Sequence, residues 1–224
     1  MIWSGGCGVA RLSIDTRHLL SVDPGRSTGV AFLSYTDDTP PVLEGAWQFP
    51  GGVVGLLAWM RVHTYQYIEG AECFVINPPF HPDSGPDLGD YASEWTDEVT
   101  IIAEKFTARN TRGFSYTTAS LEPLRGEGAL IALGLMPDYT PKEKRWRDPG
   151  VQYLVGGRDK ADKKKRQHKF LKDSGFYRTG KDLGAPDADD FRSSASQGLA
   201  YLAREVGNKP AYDLVSTWIE HNAT

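Results

Sequence analysis

The stretch that decides the fold is His18–Gly29, HLLSVDPGRSTG. Leu19 to Val22 is almost wholly apolar, stops at an acid, Asp23, and turns at Pro24-Gly25. A short apolar run bounded by a turn signal reads as a strand buried inside a sheet. An acid at the end of such a strand is costly unless it is paired or holds a cation. The Pro-Gly turn lets a second strand, Ser27–Tyr35, lie back beside that carboxylate. A plain turn with Asp23 capping its own loop would look the same. The rest of the chain therefore has to decide the reading.

Outward from this point, Thr36–Pro41 (TDDTPP) is a polar turn and Pro41–Phe49 alternates as a third strand. Val53–Ile68 carries apolar residues at helical spacing, and Glu72–Phe80 (ECFVINPPF) reads as a short buried strand stopped by prolines. Residues 81–117 start acidic and Gly/Pro-rich and read as an insertion, helical from Tyr91 to Phe106. A helix is predicted from Leu121 to Leu135, with a fifth strand through Asp138–Pro141. Further helices are predicted from Ala161 to Asp173 and from Ala188 to Val206. Residues 1–16 read as an extension and 207–224 as a tail around one domain, 17–206. This order predicts an α/β protein with a mixed five-stranded sheet flanked by helices.

Composition narrows the class. The chain has 224 residues, 40% hydrophobic and 24% charged, and two cysteines, which excludes collagen-like, low-complexity and disulfide-scaffold proteins. No apolar run approaches the roughly 20 residues that span a bilayer, and the start lacks a secretory pattern. No membrane association and a reducing, cytoplasmic setting are predicted. The net charge of −4 conceals a strong polarity. Lys142 to Lys181 holds fourteen Lys and Arg against five acids, so this window carries +9 and the remainder −13. Such a window suits a polyanion, although a solvated lysine-rich helix face would look alike.

A second acidic group, Asp187-Ala188-Asp189-Asp190, stands at the start of the final predicted helix. Asp187 and Asp190 are three apart and so project from one face of the first turn. Acids here are favoured by the helix dipole alone. Three in four residues exceeds that need, and a divalent cation would relieve their repulsion. Asp23, Asp187 and Asp190 together form a hard-oxygen set suited to Mg²⁺ or Mn²⁺. Two such ions can activate a water and stabilise the leaving oxygen of a phosphodiester. Zinc-type Cys/His spacing, a Walker loop and a dinucleotide fingerprint are all missing.

These pieces resemble the RuvC-type Holliday-junction resolvases, in particular the versions carried by bacteriophages. The resemblance rests on Leu19–Gly29 (LLSVDPGRSTG), the strand Cys73–Ile76, the helix around Leu121–Leu135 and Asp187–Leu202 (DADDFRSSASQGLAYL). The lysine-rich helix followed by Leu171–Tyr177 (LKDSGFY) is also similar. It covers Arg17 to Ala203, less well over 81–117. The resemblance implies a ribonuclease H-like fold, a homodimer, and a metal-dependent site that nicks one strand of branched DNA. Of the four acids such a site uses, Asp23 matches the first and Asp187 and Asp190 the last two. The remaining one follows the fourth strand as a glutamate, and after Cys73–Ile76 this chain has Asn77. Asn77 supplies an oxygen ligand without charge, so metal affinity should fall. Glu122 and Glu127 are the candidates to compensate.

The leading expectation is a branched-DNA endonuclease with a two-metal Mg²⁺ or Mn²⁺ site at Asp23, Asp187, Asp190 and Asn77. Lys163, Lys164, Lys165, Arg166 and Lys169 would grip phosphates, as would Lys142, Lys144, Arg145 and Arg147. Trp146 would either stack on an unpaired base or be buried. The alternative is a related module that binds branched DNA and cuts poorly or not at all, for which Asn77 argues. An actin-like ATPase would need a second glycine-rich phosphate loop, and none is present in the sequence.

Overall fold

The computed structural model describes residues 16–62, 65–68, 73–76, 99–106, 118–132, 135–136, 145–148, 150–151 and 153–222. Its central sheet has five strands: β1 (Arg17–Asp23), β2 (Thr28–Tyr35), β3 (Val42–Phe49), β6 (Val99–Glu104) and β7 (Trp146–Arg147), in the order β3-β2-β1-β6-β7. The first three pair antiparallel, while β6 runs parallel to both β1 and β7. Helices α1 (Val53–Val62), α2 (Thr118–Ala132), α3 (Lys160–Asp173), α4 (Asp189–Tyr201) and α5 (Lys209–His221) accompany it. The α/β class and the mixed five-stranded sheet are as the sequence predicts.

Strand alternation splits the core into two layers. Leu19, Ala31, Leu33 and Ile102 point to one face, against Phe170 and Leu171 of α3, Phe191 and Leu199 of α4, and Trp218 of α5. Leu20, Val22, Val30, Phe32 and Ile101 point to the other, against Leu56 of α1 and Leu130 of α2. Burying each such side chain contributes about 1.5–3 kcal/mol. A sheet apolar on both faces can be satisfied only by helices on both sides.

Helix α4 lies unusually close to the sheet. A Cβ on Gly29 would come within 2.0 Å of the Asp190 backbone, and one on Gly198 within 2.8 Å of Leu33. Two buried serines lock the contact: Ser21 Oγ donates to Ser194 O at 2.8 Å, and Ser194 Oγ donates to Ser21 O at 2.5 Å. The acids at the head of α4 are thereby held over the end of β1.

Several elements differ from expectation. Residues 99–104, read as part of a helix, form the central strand β6. Val99, Ile101, Ile102 and Ala103 are all buried there, so both faces are apolar and the strand shows no alternation. Cys73–Ile76 (β5), read as the fourth strand of the main sheet, pairs instead with β4 (Tyr65–Ile68) in a separate two-stranded sheet. The predicted helix over Val53–Ile68 ends at Val62, before β4. The fifth strand is Trp146–Arg147, and the segment around Asp138–Pro141 lies outside the described residues. What read as a tail is α5: Asn208 caps it by accepting from Ala211 N at 2.9 Å, and Pro210 sits in its first turn.

Candidate metal and nucleic-acid site

Val22 pairs with Ala103 in the parallel β1–β6 register. One residue further along each strand stand Asp23 and Glu104, at the same end of neighbouring strands. Burial holds the Asp23 carboxyl well above the ordinary aspartate range. The Glu104 carboxylate adds to that, a Ser193 hydrogen bond opposes it, and Asp190 adds a further increment. Asp190 in turn is pushed up to about 6, first by burial and then by Asp187 and Asp189, against a hydrogen bond from Ser27. A cation would help acids that raise one another in this way to ionise together.

Asp187 precedes α4 and is exposed. Its Oδ1 accepts from Gln48 Nε2 at 2.8 Å and from the Asp189 backbone N–H at 3.2 Å. Glu104 Oε2 accepts from Gln197 Nε2 at 2.5 Å. Asp189 is exposed and is paired on two sides, with Lys164 at 2.7 Å and Arg192 at 2.5 Å. The Lys164 pair ties α3 to the head of α4.

Glu104 is the site residue that the sequence reading missed. Its signal was present: Val99-Thr100-Ile101-Ile102-Ala103-Glu104 repeats the pattern of Leu19–Asp23, an apolar run that ends in an acid. Asn77 lies outside the described residues, and the strand before it is not part of the main sheet. Neither compensating glutamate reaches Asp23 in the described contacts. Glu122 pairs with Arg125 at 2.6 Å on the surface of α2. Glu127 is buried, its Oε1 has no hydrogen-bond partner among the described residues, and burial raises it to about 7 against the pull of Lys105.

Asp23 and Asp190 open into a cavity of about 260 Å³, also lined by Lys164, His168, Arg192 and Ser193. Lys164 and His168 also line a neighbouring groove on α3 with Lys165, Lys169 and Lys172. A cationic track therefore leads to the acidic cavity. Among the described residues, no three His, Cys, Asp or Glu side chains stand close enough together to hold a metal ion as they are. The donor set is nonetheless all hard oxygen and mutually repulsive, which suits a hard dication better than zinc.

The basic residues divide. Lys142 and Lys144 lie outside the described residues. Arg145 and Arg147 make internal ties. Arg145 donates to Ile101 O at 2.8 Å and Leu135 O at 2.6 Å, while buried Arg147 pairs with Glu205 at 3.5 Å and covers the Tyr201 ring. Trp146 is buried. On α3, Arg166 and Lys169 lean over Trp218 and bond Asn222 at the end of α5. Lys163 is half-buried, and Lys164, Lys165 and Lys172 are exposed along the groove.

Comparison with protein-family models, with curated proteins and with solved structures finds no match to this chain. No described helix is long and apolar enough to cross a membrane.

Proposed function

We propose that this protein is a ribonuclease H-like endonuclease that hydrolyses phosphodiester bonds in branched DNA with Mg²⁺ or Mn²⁺. One observation carries the reading: Asp23 and Glu104 end adjacent parallel strands, and both Glu104 and Asp190, at the head of α4, act electrostatically on Asp23. The strand order, with three antiparallel strands followed by two parallel ones, supports the fold assignment.

Asp23, Glu104, Asp187 and Asp190 would hold the metal. When bound, it supplies Lewis-acid activation of water and neutralises charge on the leaving oxygen. The chain's own residues do the rest. Ser193 and Ser27 orient Asp23 and Asp190. Lys164, Lys165 and Lys172 lie where a phosphate backbone would run into the cavity. Glu104 would supply the charge that Asn77 lacks, which favours cleavage over a module that only binds. A four-way junction incubated with Mn²⁺ tests the proposal. Nicks that vanish with chelator and in Asp23→Asn support it, and intact DNA despite tight junction binding returns the reading to a binding module.

A further inference from the structure

The N-cap residue of helix α4 caps nothing with its side chain. Ala188 occupies the N-cap position and offers no side-chain acceptor, although the first amides of a helix need partners. The partner for Phe191 comes from another element. Gln48 on β3 accepts from Phe191 N with its Oε1 at 3.1 Å. The same buried amide donates from Nε2 to Asp187 Oδ1 at 2.8 Å. The two contacts fix the amide's orientation, since the helix amide requires an acceptor and the carboxylate requires a donor. A lysine, arginine, ionised carboxylate or apolar side chain in its place would not meet both demands.

We infer that Gln48 is a positioning residue that caps α4 from the neighbouring strand and aims Asp187 at the metal. The inference rests on the proposed metal site. Asp187 is exposed and precedes the helix, and the Gln48 bond at 2.8 Å is shorter than the 3.2 Å bond its Oδ1 accepts from the Asp189 N–H. A neutral donor suits this task, because it orients the carboxylate without cancelling the charge that attracts a cation. A lysine or arginine in its place would orient Asp187 and compete with the metal at once.

The test is Mn²⁺ binding to the full chain without DNA, followed by loss of the free-ion paramagnetic signal. Gln48→Met keeps the length and removes both donor and acceptor. It should weaken Mn²⁺ binding roughly tenfold, within the range for residues that orient metal ligands. In an Asp187→Asn background, the same change should weaken binding less than about twofold, because the ligand it aims is already gone. Thermal unfolding in chelator should show the same capping loss in both backgrounds. Equal Mn²⁺ loss in both backgrounds would reduce Gln48 to a structural cap and overturn the inference. Unaltered binding by Gln48→Met in the wild-type background would do so too. A wild-type chain that binds no Mn²⁺ overturns the metal-site reading itself, and the inference with it.

Discussion

Glu104→Gln keeps the shape of the side chain and its capacity to accept from Gln197, and removes one negative charge beside Asp23. If that charge helps to hold the metal, several kcal/mol of transition-state stabilisation is lost, on the order of 100-fold or more in rate. Asp23→Asn and Asp190→Asn should behave alike. Junction binding should persist in all three, since fewer carboxylates repel fewer phosphates. Asn77→Ala should leave the metal requirement unchanged. Parallel metal titrations of nicking by these variants check the set, and wild-type nicking by Glu104→Gln would remove it from the site. Glu127 predicts a separate effect. Its carboxyl is neutral in the folded chain up to about pH 7 but ionises near 4.5 when unfolded. The folded state therefore binds more protons between those values, and stability falls as pH rises through that window. Glu127→Gln should flatten this fall and raise the melting temperature above pH 7, measured by thermal unfolding from pH 4 to 8.

At the scale of elements, the groove face of α3 and the buried β7 arginines make opposite predictions. Lys165→Ala with Lys172→Ala should weaken DNA binding and flatten the dependence of log affinity on log salt by up to about two units. Arg145→Ala and Arg147→Ala should instead lower the melting temperature with the salt slope intact, because their guanidinium groups serve the fold. Salt titrations of junction binding separate the two classes. Gly29→Ala would drive a methyl group into the α4 backbone. Its cost should be about 3 kcal/mol, the upper range for overpacking, read as a lower denaturation midpoint. The elements legible in the sequence were those whose pattern was local. β1 to β3 showed apolar runs and turns, and α3 showed a charged periodic face ending at Ser174-Gly175. β6 was not legible as a strand because burial on both faces erases alternation. Reading β6 as helix puts β5 in its place in the main sheet and Asn77 in the place of Glu104. Of the site, Asp23, Asp187 and Asp190 could be read from short motifs. The contacts that orient them come from β3 and from deep within α4, and no local spacing announces those.

For the molecule as a whole, acid repulsion at the candidate site should govern how stability responds to pH and metal together. Asp190 gains its proton near pH 6 in the folded chain, far above its unfolded value of 3.8. Without metal, stability should therefore fall as pH rises through that interval. Mn²⁺ competes with the same protons, so the stabilisation it gives should grow between about pH 5 and 7. Differential scanning calorimetry with and without Mn²⁺ checks this. A metal effect independent of pH would separate the ion from these acids.

The pairing of β1 with β6 also has a consequence for how the chain reaches its native state. Residues 24–98 must be spanned before Asp23 can stand beside Glu104. β1, β2 and β3, joined by short turns, need no such closure. Loop-closure entropy therefore delays the central parallel pair relative to the N-terminal meander. A nascent chain can carry its first acid on a formed hairpin while the second is still unplaced. Assembly of the acid cluster is thus an outcome of the late, long-range stage of folding, and a chain halted before that stage would hold ordered strands without an assembled cluster of carboxylates.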